Sequence, residues 1–289
     1  MKSKTQTLKK FNDNDNQLLI IGVIFLIIGT IISPMKSLAQ GDLLVFPKRL
    51  VFDGTKKSES VNLNNTGKDT ARYLVSFIQI RMKEDGSFEN ITQPDPGQYF
   101  AEPYLRIYPR SVILGPNESQ VIKIQLQKTD QMAPGEYRSH LYFRAMPDAK
   151  PLGEKGIKKD TSVSATLTAV IGISIPVIIR KGETSAKVSL SNLSFQKLND
   201  SIRIIKLDLN RNGNISVYGD IKVNLVLPNG KTTTVGEMNG LAVYTPGTIR
   251  KCQVQLKKGV DYSKGKLVIS FSAQAEDKGV RFAEAELIL

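Results

Sequence analysis

The sequence predicts an all-β fold, two immunoglobulin-like β-sandwiches in tandem, on three observations. Short alternating runs recur with turn chemistry between them. They divide into two sets of about a hundred residues each, the usual size of one such sandwich. No amphipathic helix of more than two turns can be found beyond the first segment. The first set is 43–52, 60–64, 71–81, 105–108, 119–127, 136–144 and 162–180. Between these runs lie Asp53-Gly54, Thr66-Gly67, Asp85-Gly86, Gly115-Pro116-Asn117 and Pro134-Gly135, where glycine supplies positive φ and proline, Asn or Asp pre-sets a turn. After Lys181-Gly182-Glu183-Thr184, a polar linker, the second set is 186–190, 201–210, 216–227, 231–236, 249–256, 266–275 and 281–289. Asn229-Gly230 between two of these runs is a hairpin signal.

The chain has 289 residues, a formal charge of +13 and 40% hydrophobic residues, a globular composition. Its first segment is set aside before the fold is considered. Lys2, Lys4, Lys9 and Lys10 precede an almost unbroken apolar run, 18–32, which is short for a membrane span. Ser37-Leu38-Ala39 then resembles a small-residue cleavage site, so residues 1–39 read as a signal peptide and the mature chain starts at 40. An uncleaved N-terminal anchor is the rival reading, and both readings place the rest of the chain outside the cytoplasm. The leader carries five lysines and two aspartates, +3 of the +13, so the mature chain keeps +10. Such a charge favours acidic surfaces, anionic lipid or a ligand carboxylate, and equally fits a plain soluble basic face. The one cysteine, Cys252, forms no intramolecular disulfide, so the fold rests on its cores. The expected domains are 40–181 and 182–289.

The run 162–180 is unusual in length. From 162 to 175 its odd positions are Val163, Ala165, Leu167, Ala169, Ile171, Ile173 and Ile175, with polar or small residues between them except at Val170. Period two places one apolar row on one face. Nineteen residues at about 3.3 Å each reach roughly 60 Å, more than one small sandwich needs. Two readings stand: a long central strand whose excess is linker, or an edge offered for pairing with another chain.

Four segments resemble one family, the periplasmic pilus and fimbrial assembly chaperones of the chaperone–usher pathway. They are Pro47-Lys48-Arg49-Leu50-Val51-Phe52-Asp53-Gly54; Val61-Asn62-Leu63-Asn64-Asn65-Thr66-Gly67; Leu105-Arg106-Ile107-Tyr108-Pro109-Arg110 with Leu114-Gly115-Pro116-Asn117-Glu118-Ser119-Gln120; and Gly135-Glu136-Tyr137-Arg138-Ser139-His140-Leu141, followed by the alternating run and Ile175-Pro176-Val177. They span most of 43–180, and the second half matches only in general β character. The resemblance implies two domains set at an angle with a cleft between them. It implies a periplasmic chaperone, working without nucleotide, whose last first-domain strand completes a pilus subunit by donor-strand complementation. The matching donor row is Val163, Ala165, Leu167, Ala169 and Ile171. The family also holds the subunit's terminal carboxylate with an arginine and a lysine. Arg49 matches the arginine, and a guanidinium suits that ligand. The lysine has no counterpart; Ser174 stands at the nearest matching position, offering a hydrogen bond without charge, and Arg180 or Lys181 is the alternative substitute, though both lie farther along and nearer the linker. The implied partners are pilus subunits and an outer-membrane usher.

Other chemistry is poorly supplied. His140 is the only histidine, so any Ser-His-Asp or Cys-His nucleophile would need it, and a lone strand histidine reads as a solvated or core-edge residue. One Cys and one His cannot make a Cys/His zinc cluster. Phosphate-binding glycine motifs are absent, and the Asp-Gly pairs are turns before they are calcium ligands. No tryptophan supplies a sugar platform. The loop 148–160, with Lys150, Lys155, Lys158 and Lys159, reads as solvated. Export and the lack of basic–aromatic interleaving disfavour nucleic acid. The expectation is a non-enzyme with no cofactor, no metal and no membrane span after cleavage. A cell-surface structural or adhesive tandem sandwich is the alternative.

Overall fold

In the first half, alternation decides which face each strand buries. In β3 (Ser58–Asn65), Val61 and Leu63 are fully buried while Asn62 between them is exposed. In β9 (Ser119–Leu126), Ile122 and Ile124 repeat the pattern. The structure, a computed structural model, describes residues 43–146, 172–199, 201–274 and 279–289. The leader, the loop 148–160 and the row Val163, Ala165, Leu167, Ala169 and Ile171 lie outside the described residues.

The first sandwich has two sheets. One runs β1 (Leu43–Phe46), β3, β9, β7 (Leu105–Tyr108). The other runs β2 (Leu50–Phe52), β11 (Gly172–Lys181), β10 (Gly135–Met146), β4 (Ala71–Ile78), β8 (Ser111–Leu114). Neighbours are antiparallel except β2 and β11, which run parallel with Val177 opposite Leu50. Phe52, Leu63, Leu114, Ile124, Leu141 and Phe143 fill the space between the sheets.

The expected run 43–52 is two strands on two sheets. Pro47 has no N–H to continue a ladder, and after it the chain crosses from β1, paired to β3, to β2, paired to β11. Both pieces bury their alternate residues, Leu43 and Val45 or Leu50 and Phe52, in the same core. The expected run 71–81 also divides. Its end is β5 (Ile80–Met82), which pairs with β6 (Phe88–Asn90) in a separate two-stranded hairpin. β8, four residues between two proline-bearing turns, was not expected as a strand.

Asn65 joins two of the segments that carry the family resemblance. Its Nδ2 donates to the carbonyls of Asp69, Leu114 and Gly115 at 2.8, 3.0 and 3.1 Å, and its Oδ1 accepts from Gly67 N at 3.0 Å. The Asn-turn after β3 and the Gly-Pro-Asn turn before β9 therefore hold one another.

The second sandwich pairs β12 (Ala186–Lys197), β13 (Arg203–Gly213) and β16 (Ile249–Gln255) in one sheet, and β15 (Thr232–Val243), β14 (Val217–Val226), β17 (Lys266–Ala273) and β18 (Arg281–Ile288) in the other. Leu207, Ile221, Val223, Leu267, Ile269 and Phe271 are at its centre. The Asn229-Gly230 hairpin forms where expected: Gly230 takes φ +82° and donates its N–H to Leu227 O at 2.9 Å. Cys252 is buried, and burial pushes its thiol up to about 11, so it stays protonated and inert. Residues 41–289 form a single unit. Where the sandwiches meet, Ile178, Ala242 and Tyr244 make a small apolar cluster of their own, with Val51, Met82 and Tyr218 against it.

Candidate functional site

Strand parity gives β10 two faces. Tyr137, Leu141 and Phe143 enter the first core. Glu136, Arg138 and His140 point the other way and would meet water in an isolated sandwich. All three are buried, because the second sandwich and the β5–β6 hairpin cover them. On β11 their partners are Arg180, Ile178 and Pro176.

Glu136 is the centre of a polar network. Its side chain is 0% exposed. Oε2 accepts from Ser216 N at 2.9 Å and from Arg180 Nε at 3.2 Å. Oε1 accepts from Ser216 Oγ and, at 3.2 Å, from Thr245 Oγ1. Arg180 also donates through Nη2 to Ser216 O at 3.0 Å. A buried carboxylate is tolerated when its lone pairs are filled and a cation is beside it, as they are here. The second sandwich's loops are themselves braced by buried Arg211, which donates to the carbonyls of Gly247, Gly213 and Ile215 at 2.9, 2.7 and 2.9 Å, and to Pro246 O at 3.4 Å.

Two residues along, Arg138 lies over the Tyr244 ring at 4.4 Å and donates one long hydrogen bond, Nη2 to Thr245 O at 3.4 Å. Among the described residues its Nε is buried without a partner, as is His140 Nδ1. His140 packs edge-on between Phe88 and Tyr244, with centroids 6.1 and 6.0 Å away. The expectation of a solvated or core-edge histidine is thus corrected. Burial first, then the nearby Arg138 charge, pushes His140 from 6.5 down to about 3, so it is neutral near pH 7.

Arg49 lies on the same side of the first sandwich, with its guanidinium carbon 4.4 Å from the Tyr218 ring centroid. It lines two neighbouring cavities. One, of ≈ 510 Å³, also has Asp53, Arg180 and Ser216 in its wall. The other, of ≈ 390 Å³, has Lys48, Asn239 and Gln274. Ser174 lines neither: it is exposed in β11, opposite Tyr142 and three positions before the point where β2 joins. Arg180 shares the larger cavity with Arg49 and Lys48 the smaller, whereas Lys181 donates Nζ to Thr129 O at 2.9 Å.

The start of β11 is paired on one side only. Gly172 to Pro176 face Arg144 to His140 of β10, while β2 covers only Val177, Ile178 and Ile179 on the other side. Among the described residues no strand occupies that other edge from Gly172 to Pro176. Residues that sequence reasoning missed are Glu136, Arg138, Ser216 and Thr245. Their signal was slight: charges on the polar parity of a strand look solvated until another domain covers them.

Among the described residues, no group of three or more His, Cys, Asp or Glu could hold a metal ion, and no helix is long and apolar enough to cross a membrane. No protein-family model and no curated protein matches the chain. Solved structures similar to it include the YadV chaperone, at 12% identity and a TM-score of 0.43 over 86% of this chain and 100% of that one. The CupB2 chaperone of Pseudomonas aeruginosa is similar at 13% and 0.41, over 85% and 100%. So is a Salmonella enterica complex of the SafA pilin with the SafB chaperone, at 13% and 0.41, over 87% and 98%.

Proposed function

We propose that the chain is a periplasmic chaperone that captures pilus or fimbrial subunits by lending them a strand, and delivers them to an outer-membrane usher for assembly. The observation that carries this reading is the one-sided start of β11. An unpaired edge offers backbone N–H and C=O groups to an incoming strand. In sequence, the run whose odd positions are Val163, Ala165, Leu167, Ala169 and Ile171 directly precedes it. In this role the backbone edge supplies hydrogen bonds, and the apolar row supplies core volume that the subunit lacks. The residue match around Arg49, Asn65 and Pro109-Arg110 supports the same reading. Arg49 serves as a carboxylate anchor beside the cleft; Arg180 adds positive potential to that cleft while staying bonded to Glu136, and Ser174 contributes at most a hydrogen bond farther along the strand. The role needs no catalytic group, cofactor or metal.

The test is co-purification with a pilus subunit after Leu167→Asp. A charge at the centre of the row should abolish subunit recovery, while the free chaperone keeps its melting temperature. Undiminished recovery of the subunit would sink strand donation.

A further inference from the structure

A third cavity, of ≈ 330 Å³, opens between the β5–β6 hairpin and the loop that follows β15, and Arg138 lines it. Arg138 is only 3% exposed, and the carboxylate whose charge reaches it, Glu136, is committed elsewhere. Glu136, its neighbour on the same face, gives its oxygens to Ser216, Thr245 and Arg180. Asp95 lines the same cavity but is held by Arg81, with Arg81 Nε to Oδ2 at 2.7 Å and Nη2 on Oδ1. A guanidinium has five N–H groups. Among the described residues this one donates a 3.4 Å hydrogen bond to Thr245 O, and its Nε is buried without a partner. A buried cation left in this condition is costly, and a bound anion is the direct remedy.

We propose that this cavity binds a small organic carboxylate with a short apolar tail. The Tyr244 ring backs one face of the guanidinium, so its edge is the side left for a planar, two-oxygen acceptor. Met82, Pro96 and Pro246 supply an apolar wall for the tail. The carboxylate belongs either to a free small molecule or to the end of a peptide, and the chemistry at Arg138 is the same for both. This site is separate from the β11 edge, so its failure leaves strand donation untouched.

Melting of the full chain is followed against benzoate and N-acetyl-leucine, each beside its uncharged amide. A carboxylate should raise the melting temperature by about 3 °C at roughly tenfold its Kd, and the amide should not. Arg138→Met should lose the response. A response to benzoate alone assigns the site to free small molecules, and one to N-acetyl-leucine alone assigns it to peptide ends. The proposal is overturned if neither carboxylate outperforms its amide, or if Arg138→Met responds like the unmodified chain. Should that variant not fold, the Arg138 Nε–H resonance of the unmodified chain decides. A shift with carboxylate but not with amide supports the site, and an unmoved resonance overturns it.

Discussion

Glu136 and Arg138 sit two residues apart on one face of β10, both buried where the second sandwich covers the first, and their surroundings are opposite in kind. The carboxylate has both oxygens filled by Ser216, Thr245 and Arg180. The guanidinium has an aromatic ring, one long hydrogen bond and a cavity. A satisfied buried charge is read as a fastening between sandwiches, whereas an unsatisfied one marks a place where the molecule is incomplete alone. Burial by itself does not separate the two; the count of partners does.

Breaking the satisfied side should have the largest effect. Glu136→Ala leaves Arg180 and the Ser216 and Thr245 donors without their acceptor, and should cost about 3–5 kcal/mol by urea denaturation. A midpoint close to that of the unmodified chain would mean that the network holds nothing together. The unsatisfied side can be sharpened through pH. His140 titrates at about 3 when folded and near 6.5 when unfolded. Between those values the unfolded chain binds a proton that the folded chain does not. Stability contributed by neutral His140 is therefore intact above pH 6.5 and falls with falling pH, by about 1.4 kcal/mol per unit. His140→Phe should remove that part of the slope and change little at pH 7. An identical slope in the variant would refute the assignment. A smaller effect on stability is expected at Arg49, whose guanidinium stacks over Tyr218. Loss of that stack in Arg49→Ala should cost about 0.5–1 kcal/mol. If Arg49 anchors a carboxylate, subunit capture should fall much further than that. A collapse in melting temperature with capture unaffected would make Arg49 structural.

Much of the core was legible from parity. Val61, Leu63, Ile122, Ile124, Leu141 and Phe143 lie in runs read as strands and form alternating buried rows. Two long runs were misread because a strand may leave its sheet without any loss of alternation, as at Pro47 and again before Ile80. The polar row of β10 was misread for another reason. Period two says which residues share a face, but only the docking of a second sandwich decides whether that face is wet. Arg49 was recognisable by residue match, while Arg180 could be named only as one of two alternatives to the missing lysine, because its place in the cleft depends on the same docking. The distance from Ser174 to the cleft likewise depends on where β2 joins β11, which only the pairing of distant strands decides.

Arg211 draws the loops around Ile215 and Pro246 to one guanidinium, and those loops carry Ser216 and Thr245. The second sandwich therefore meets Glu136 with its donors already in place. The conformational entropy of ordering them is lost as that sandwich folds, not when the two halves dock. The fit of the second sandwich onto Glu136 is then a property inherited from that sandwich's own loops. Substitutions at Arg211 should therefore loosen that docking from a side chain whose hydrogen bonds stay within the second sandwich.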